Sequence, residues 1–329
     1  MAFKDVAGNV RIKKILKLAL ERRRVPNSLI FCGPEGVGKK EMAMTLAKAL
    51  NCLSLSADAC DECPSCRAVD KGIHPDVMVI AAEKQEIKIE QIRFLKDMAY
   101  LRPMTGKKRV FVIEDAETMS DAAASSLLKV LEEPPLYSHI ILVTASPFLL
   151  FPTIRSRCQT LAFSAIGREE IEEILLERDF DREQARILAL LVDGNLERAL
   201  ELEWDEVRAL KEESWRLFEA LVSSDRSALF LERFGGLAKA VQEEFSRTLE
   251  VFSSFIRDIL LLRTGGDPRL LLNPDLEEEL RAAAADWPVR RVLAVLEEID
   301  FVLAALPGNL NKGLLATTFF SNFGELKHV

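Results

Sequence analysis

Four cysteines and one glycine-rich run are the residues whose types and spacing could do chemistry. Cys52, Cys60, Cys63 and Cys66 are separated by seven, two and two residues. Two overlapping Cys-x-x-Cys turns put three thiolates on one tight loop, and Cys52 can complete a tetrahedron. Such a set suits structural Zn²⁺, because four thiolates close the coordination shell and leave no position for a substrate. An iron–sulfur cluster or four unliganded thiols are the alternatives. The polar loop Asp58-Ala59-Cys60-Asp61-Glu62-Cys63 favours a zinc knuckle. Gly33-Pro34-Glu35-Gly36-Val37-Gly38-Lys39-Lys40 reads as a phosphate-binding loop. Gly33, Gly36 and Gly38 allow backbone N–H groups to converge on the phosphate oxygens of ATP or ADP, and Lys39 is placed to meet the β-phosphate and, in ATP, the γ-phosphate. A strand-to-helix turn with no ligand is the equal alternative.

The hydrolytic half of that chemistry is incomplete. Where a Ser or Thr hydroxyl would hold Mg²⁺, the chain has Lys40. The acidic pair after Val110-Phe111-Val112-Ile113 is Glu114-Asp115, the reverse of the usual Asp-then-Glu order. Asp115 is one methylene shorter than the expected base, and a misplacement of about 1 Å can cost on the order of a hundredfold in rate. Both departures strike the same metal-dependent step. The pattern therefore reads as nucleotide-binding ancestry without competent ATP hydrolysis.

The elements that must position these residues alternate between two periods. Val10 to Arg24 reads as an amphipathic helix, Leu29–Phe31 as a strand, and Glu41 to Leu50 as the helix behind the loop. Further strands are expected at Asp76–Ile80, Arg109–Ile113, His139–Thr144 and Gln159–Phe163, with helices over Ile89–Arg102 and Asp121–Glu132 between them. Alternation of this kind implies an α/β fold, a parallel sheet covered on both faces. After Phe163 the strand signal stops. Ser164 and Asp181 are candidate caps for helices over Arg168–Arg178 and Arg182–Val192, Gly194 breaks the second, and Leu196 begins a third. From about Arg208 onward the chain reads as helical, with breaks at Gly235-Gly236, Gly265-Gly266, Pro288 and Pro307-Gly308.

At 329 residues the chain is long enough for about two or three domains. A net charge of −8 argues against a protein that wraps nucleic acid by itself. Arg22-Arg23-Arg24 and Lys107-Lys108-Arg109 read as solvated helix ends and loops. The cysteine loop lacks interleaved basic and aromatic residues, which disfavours a zinc-dependent nucleic-acid module. No run approaches the roughly 20 apolar residues of a membrane span, and the N-terminus lacks a signal-peptide core. A cytoplasmic protein with reduced cysteines, and without a membrane partner, is expected. Cys32 reads as a small buried apolar residue.

Four segments carry a family resemblance. They are the cysteine module directly after the phosphate-loop helix, and Ser125 to Pro135, which ends Leu128-Lys129-Val130-Leu131-Glu132-Glu133-Pro134-Pro135. Thr153-Ile154-Arg155-Ser156-Arg157-Cys158 and Asn309-Leu310-Asn311-Lys312-Gly313-Leu314-Leu315 complete the set. Together they resemble the clamp-loader subunits of bacterial DNA polymerase III, within the AAA+ ATPases. The resemblance implies an AAA+ domain at 1–165 with the zinc module at 52–66, a three-helix lid at 166–207 and a helical collar at 208–329. It implies a hetero-pentamer with gamma/tau and delta subunits that places a sliding clamp on primed DNA. Arg157, by its residues alone an ordinary surface ion pair, would be an arginine finger offered in trans to a neighbour's ATP. Thr144 is either a phosphate sensor or a buried strand threonine. In Gly194-Asn195-Leu196-Glu197-Arg198-Ala199-Leu200 the motor subunits' sensor arginine is replaced by Glu197, and a rotation of about 100° per residue points Arg198 elsewhere. The reading is a non-hydrolysing stator; the alternative is a gamma/tau-type motor that hydrolyses ATP itself.

Overall fold

Apolar runs bounded by turn residues form five strands in the computed structural model, which describes residues 2–54, 57–192, 194–222, 233–234, 241–306 and 312–325. They are β1 (Ser28–Cys32), β2 (Val77–Ile80), β3 (Arg109–Ile113), β4 (Ser138–Thr144) and β5 (Gln159–Ala162). The order is β2-β3-β4-β1-β5 and every pairing is parallel. β1, β3 and β4 are buried along their whole length, as continuous apolar strands under helices must be. Cys32 pairs with both Thr144 and Ala162, so the carboxyl ends of β1, β4 and β5 lie level, where the phosphate loop leaves β1. The α/β sheet and the helical remainder expected from the pattern are both present.

The first compact unit spans 1–179 and 192–200. Besides the sheet it holds α1 (Val10–Glu21), α2 (Lys39–Asn51), α3 (Pro64–Asp70), α4 (Ile89–Ala99), α5 (Asp121–Glu132), α6 (Pro152–Arg155), α7 (Arg168–Leu176) and all but the last residue of a short helix at Leu196–Glu201. α4 stops at Ala99 rather than running to Arg102. The buried Arg109 guanidinium takes Met98 O and Arg102 O, and pairs with the buried Asp76 at 2.9 Å. Asp76 in turn accepts the N–H groups of Met104, Thr105 and Gly106, which fixes the loop leading into β3. α7 is preceded by Gly167, not capped by Ser164, whose N–H instead donates to Asn9 Oδ1.

The second unit spans 180–191 and 201–329. Asp181 caps the Arg182–Leu191 helix reciprocally with Gln184. The helices Trp204–Val222, Val241–Arg263, Glu277–Asp286, Val289–Ala305 and Lys312–Glu325 enclose an aromatic-rich core. Phe218 sits at its centre, with Trp215, Phe252, Phe255, Trp287 and Phe323 within 5.5–6.3 Å between ring centroids. The Val241–Arg263 helix ends just before Gly265, which takes a left-handed φ of 74°, and Pro288 stands at the start of the next long helix. Gly235-Gly236, Pro307-Gly308 and Asn309 to Asn311 lie outside the described residues. Among the described residues no helix is long and apolar enough to cross a membrane.

Candidate functional site

The phosphate loop joins the buried β1 to α2, and two of its glycines are required by geometry. Gly36 has φ 63°, and a Cβ there would stand 1.6 Å from Asn195 Oδ1. Gly33 has φ 145°, and a Cβ would meet Phe163 O at 2.4 Å. The carbonyl of Gly36 accepts the N–H of Leu196 at 3.0 Å, and Asn195 Oδ1 caps the Leu196–Glu201 helix through Arg198 N. The segment carrying Glu197 is thereby seated directly on the loop.

Lys39 is 8% exposed, and its ammonium donates to the loop's own carbonyls, Gly33 O at 2.7 Å and Pro34 O at 2.5 Å. Burial lowers its pKa, with Glu35, Glu117 and Asp115 pulling the other way. Beside it opens a cleft of about 530 Å³ lined by Val6, Ala7, Ile166, Leu196 and Glu197. Neighbouring polar groups are satisfied within the chain: Gly8 N donates to Glu170 Oε1, and Lys13 Nζ to Val6 O.

Magnesium does not fit this loop. Lys40 Nζ lies 2.9 Å from Glu114 Oε1 and 3.0 Å from Oε2. The hydrogen bond to Glu114 raises the lysine's pKa, so the cation is secure at neutral pH. Mg²⁺ needs oxygen ligands in near-octahedral array. Here the position that should give a hydroxyl gives an ammonium, and the first carboxylate after β3 is already engaged by it. Asp115, next along, takes a left-handed φ of 44° and starts a turn. Thr144 is fully buried at the end of β4; its hydroxyl donates to Ser146 O at 2.9 Å and accepts Ser146 N at 3.3 Å.

The four cysteines of the module converge. Cys52 follows the last residue of α2, Cys63 caps α3, and the four sulfurs lie within 4.8 Å of one another. A tetrahedron with metal–sulfur bonds of about 2.3 Å has edges of about 3.8 Å, so the cluster could hold a metal ion. N–H···S bonds from Cys63 to Cys60 and from Cys66 to Cys63 favour thiolates. Such bonds hold the Cys60 thiol down at about 6, whereas burial pushes Cys66 up to about 12. The surrounding loop is pinned to the fold. Lys48, 2% exposed on α2, bridges Asp61 and Asp70; burial opposes its charge, but the bonds to both carboxylates outweigh that and raise its pKa. Lys107 Nζ donates to Cys52 O at 2.6 Å.

Ser156, Arg157 and Cys158 follow α6 and divide their directions. Ser156 Oγ donates to Thr153 O at 3.0 Å. Cys158 packs against the core and burial pushes its thiol up to about 12. The Arg157 side chain is one-third exposed and pairs with Glu132 Oε1 at 2.5 Å. Phe148, Leu149 and Phe151 are exposed on the preceding turn, with the Arg155 guanidinium stacked over Phe148. The structure therefore keeps the phosphate-loop residues, Thr144 and the cysteine cluster at separate places from Arg157. Glu114, Asn195 and Glu132 each stand in a motif legible in the sequence, but their pairings with Lys40, with the phosphate loop and with Arg157 are not legible there.

Comparison with known proteins finds relatives for this chain. The profile of a family described as DNA polymerase III, delta subunit, matches residues 8–167. DNA polymerase III subunit delta' of Bacillus subtilis is 30% identical over 294 residues, covering 87% of this chain and 88% of that protein. Subunit tau of the same organism is 31% identical over 280 residues, which is 82% of this chain but only 48% of tau. A solved DNA polymerase III gamma subunit-related protein from Thermotoga maritima is 22% identical, with a TM-score of 0.48 over 96% of this chain and 99% of that one.

Proposed function

The chain belongs to the delta-prime family of DNA polymerase III clamp-loader subunits, and from that membership we propose that it is the complex's non-hydrolysing stator. In this reading it offers Arg157 in trans to ATP held by a neighbouring gamma/tau subunit. A planar cation there stabilises charge on the transferring phosphoryl group. The observation that carries the reading is the Lys40–Glu114 pair, an internal cation where hydrolysis needs a metal. The exposed apolar residues beside Arg157 suit a face that is covered by a neighbour.

The finer parts of the reading go with it. The chain has an AAA+ domain at 1–165, a lid at 166–207 and a collar at 208–329. It assembles with gamma/tau and delta into a pentamer that loads the sliding clamp onto primed DNA in the cytoplasm. Cys52, Cys60, Cys63 and Cys66 hold one structural Zn²⁺, which closes the loop and takes no part in a reaction. Where ATP or ADP enters, Gly33, Gly36, Gly38 and Lys39 meet its phosphates and Thr144 stands at the strand end beyond them.

The motor alternative draws on the tau match. Lys40, the engaged Glu114 and Glu197 speak against it. The deciding experiment measures ATP turnover of the chain alone and of the reconstituted complex. Turnover is expected only in the complex, and Arg157→Ala is expected to lower it by roughly a hundredfold or more without disturbing assembly. Turnover by the lone chain, lost on Lys39→Ala, would overturn the stator reading.

A further inference from the structure

The Leu-Glu-Glu-Pro-Pro run closes α5, and its first glutamate meets Arg157 across 25 residues of sequence. Arg157 Nη2 donates to Glu132 Oε1 at 2.5 Å. Its Nη1 donates to Thr153 O at 2.9 Å and contacts Ser156 Oγ at 3.4 Å. A guanidinium has five N–H donors, so these three bonds leave two for an incoming oxyanion. The pair adds little to stability: Arg157 is 33% and Glu132 49% exposed, and at such exposure an ion pair is screened. What it does is order a long side chain. An unheld arginine must freeze several rotamers before it can bridge an anion, whereas one already fixed at both Nη atoms need not.

We propose that Glu132 is a positioning residue for Arg157. It holds the guanidinium at a set place on the surface of α5 and α6, with its remaining donors ready for the polyphosphate of a nucleotide bound to a neighbouring subunit. Two motifs that are separate in sequence thereby form one device. Glu132 touches no reacting atom; it acts through Arg157. The inference rests on the in-trans reading above.

The test uses the reconstituted complex carrying Glu132→Ala, Glu132→Gln or Arg157→Ala in this chain, with assembly checked by gel filtration. The glutamine retains an acceptor oxygen where the carboxylate has one. Loss of one charge-assisted bond is expected to lower kcat of the Glu132→Ala complex about tenfold, with the KM for ATP unchanged. Glu132→Gln is expected to restore most of the lost rate, a rescue that a merely structural role would not give. Wild-type kcat in the Glu132→Ala complex, with Arg157→Ala impaired, overturns the inference alone, as does a glutamine variant as slow as the alanine one. Wild-type kcat in the Arg157→Ala complex overturns the in-trans reading itself.

Discussion

Lys40 Nζ donates a hydrogen bond to Glu114 Oε2 at 3.0 Å and lies within ion-pair distance of Oε1, at 2.9 Å. The pair ties the first turn of α2 to the end of β3, 74 residues away in sequence. A charge that a motor would borrow from solvent as a metal ion is built into this chain as a side chain.

Lys40→Ala is expected to lower stability by only about 1 kcal/mol. Lys40 is 56% exposed, so solvent screens its side of the pair, while the less exposed Glu114 loses a partner. The substitution is not expected to create ATPase activity, because Asp115 remains in its turn and Glu197 stays on the loop. Urea denaturation and a turnover assay check both halves. A loss above about 3 kcal/mol, or measurable hydrolysis, would contradict them.

Freshly purified protein is expected to contain about one zinc per chain. Cys63→Ser removes a ligand and alters the cap of α3, so it should release the metal and lower the Tm. Elemental analysis and a melt with and without chelator read both effects. Metal-free protein whose melting ignores the chelator would remove zinc from the account.

Stability is expected to fall below pH 6.5 because of His139. The ring is 3% exposed in β4, bonded through Nδ1 to Pro26 O, and burial lowers its pKa from 6.5 to about 4. The unfolded chain therefore takes up a proton near 6.5 that the folded chain refuses until about 4. Between those values the unfolded state holds more protons, so this contribution is complete above 6.5 and drains away as pH falls. The loss should reach about 1 kcal/mol by pH 5.5. Denaturation curves at pH 7.5 and 5.5, with His139→Leu as the control, measure it. An unchanged pH dependence in the variant would exclude the histidine as the cause.

The sequence made most of the sheet legible, and the cysteine cluster too, because both are local patterns. β3 and β4 are unbroken apolar runs, and Cys52 to Cys66 are close enough in sequence for their convergence to be read from spacing. What escaped reading was pairing at a distance. Nothing near Lys40 announces Glu114, because a parallel crossover brings them together only after the sheet is assembled, and nothing near Gly36 announces Asn195, which reaches the loop from beyond the last strand. The end of α4 was misjudged for the same reason. Its apolar period continues, but Arg109, ten residues past Ala99, takes the carbonyl of Met98. Arg157 read as a surface ion pair from its own residues, and it is one; its partner in α5 could be named only from the folded chain.

The backbone passes from one compact unit to the other at 179–180, returns at 191–192 and leaves again at 200–201. A protease nick at any one of these crossings would leave the halves still threaded by the other two. A fragment beginning at Glu201 would lack the Arg182–Leu191 helix that belongs with it. Truncations meant to isolate either half must therefore be planned as graft and deletion together, with the detour excised from one piece and supplied to the other.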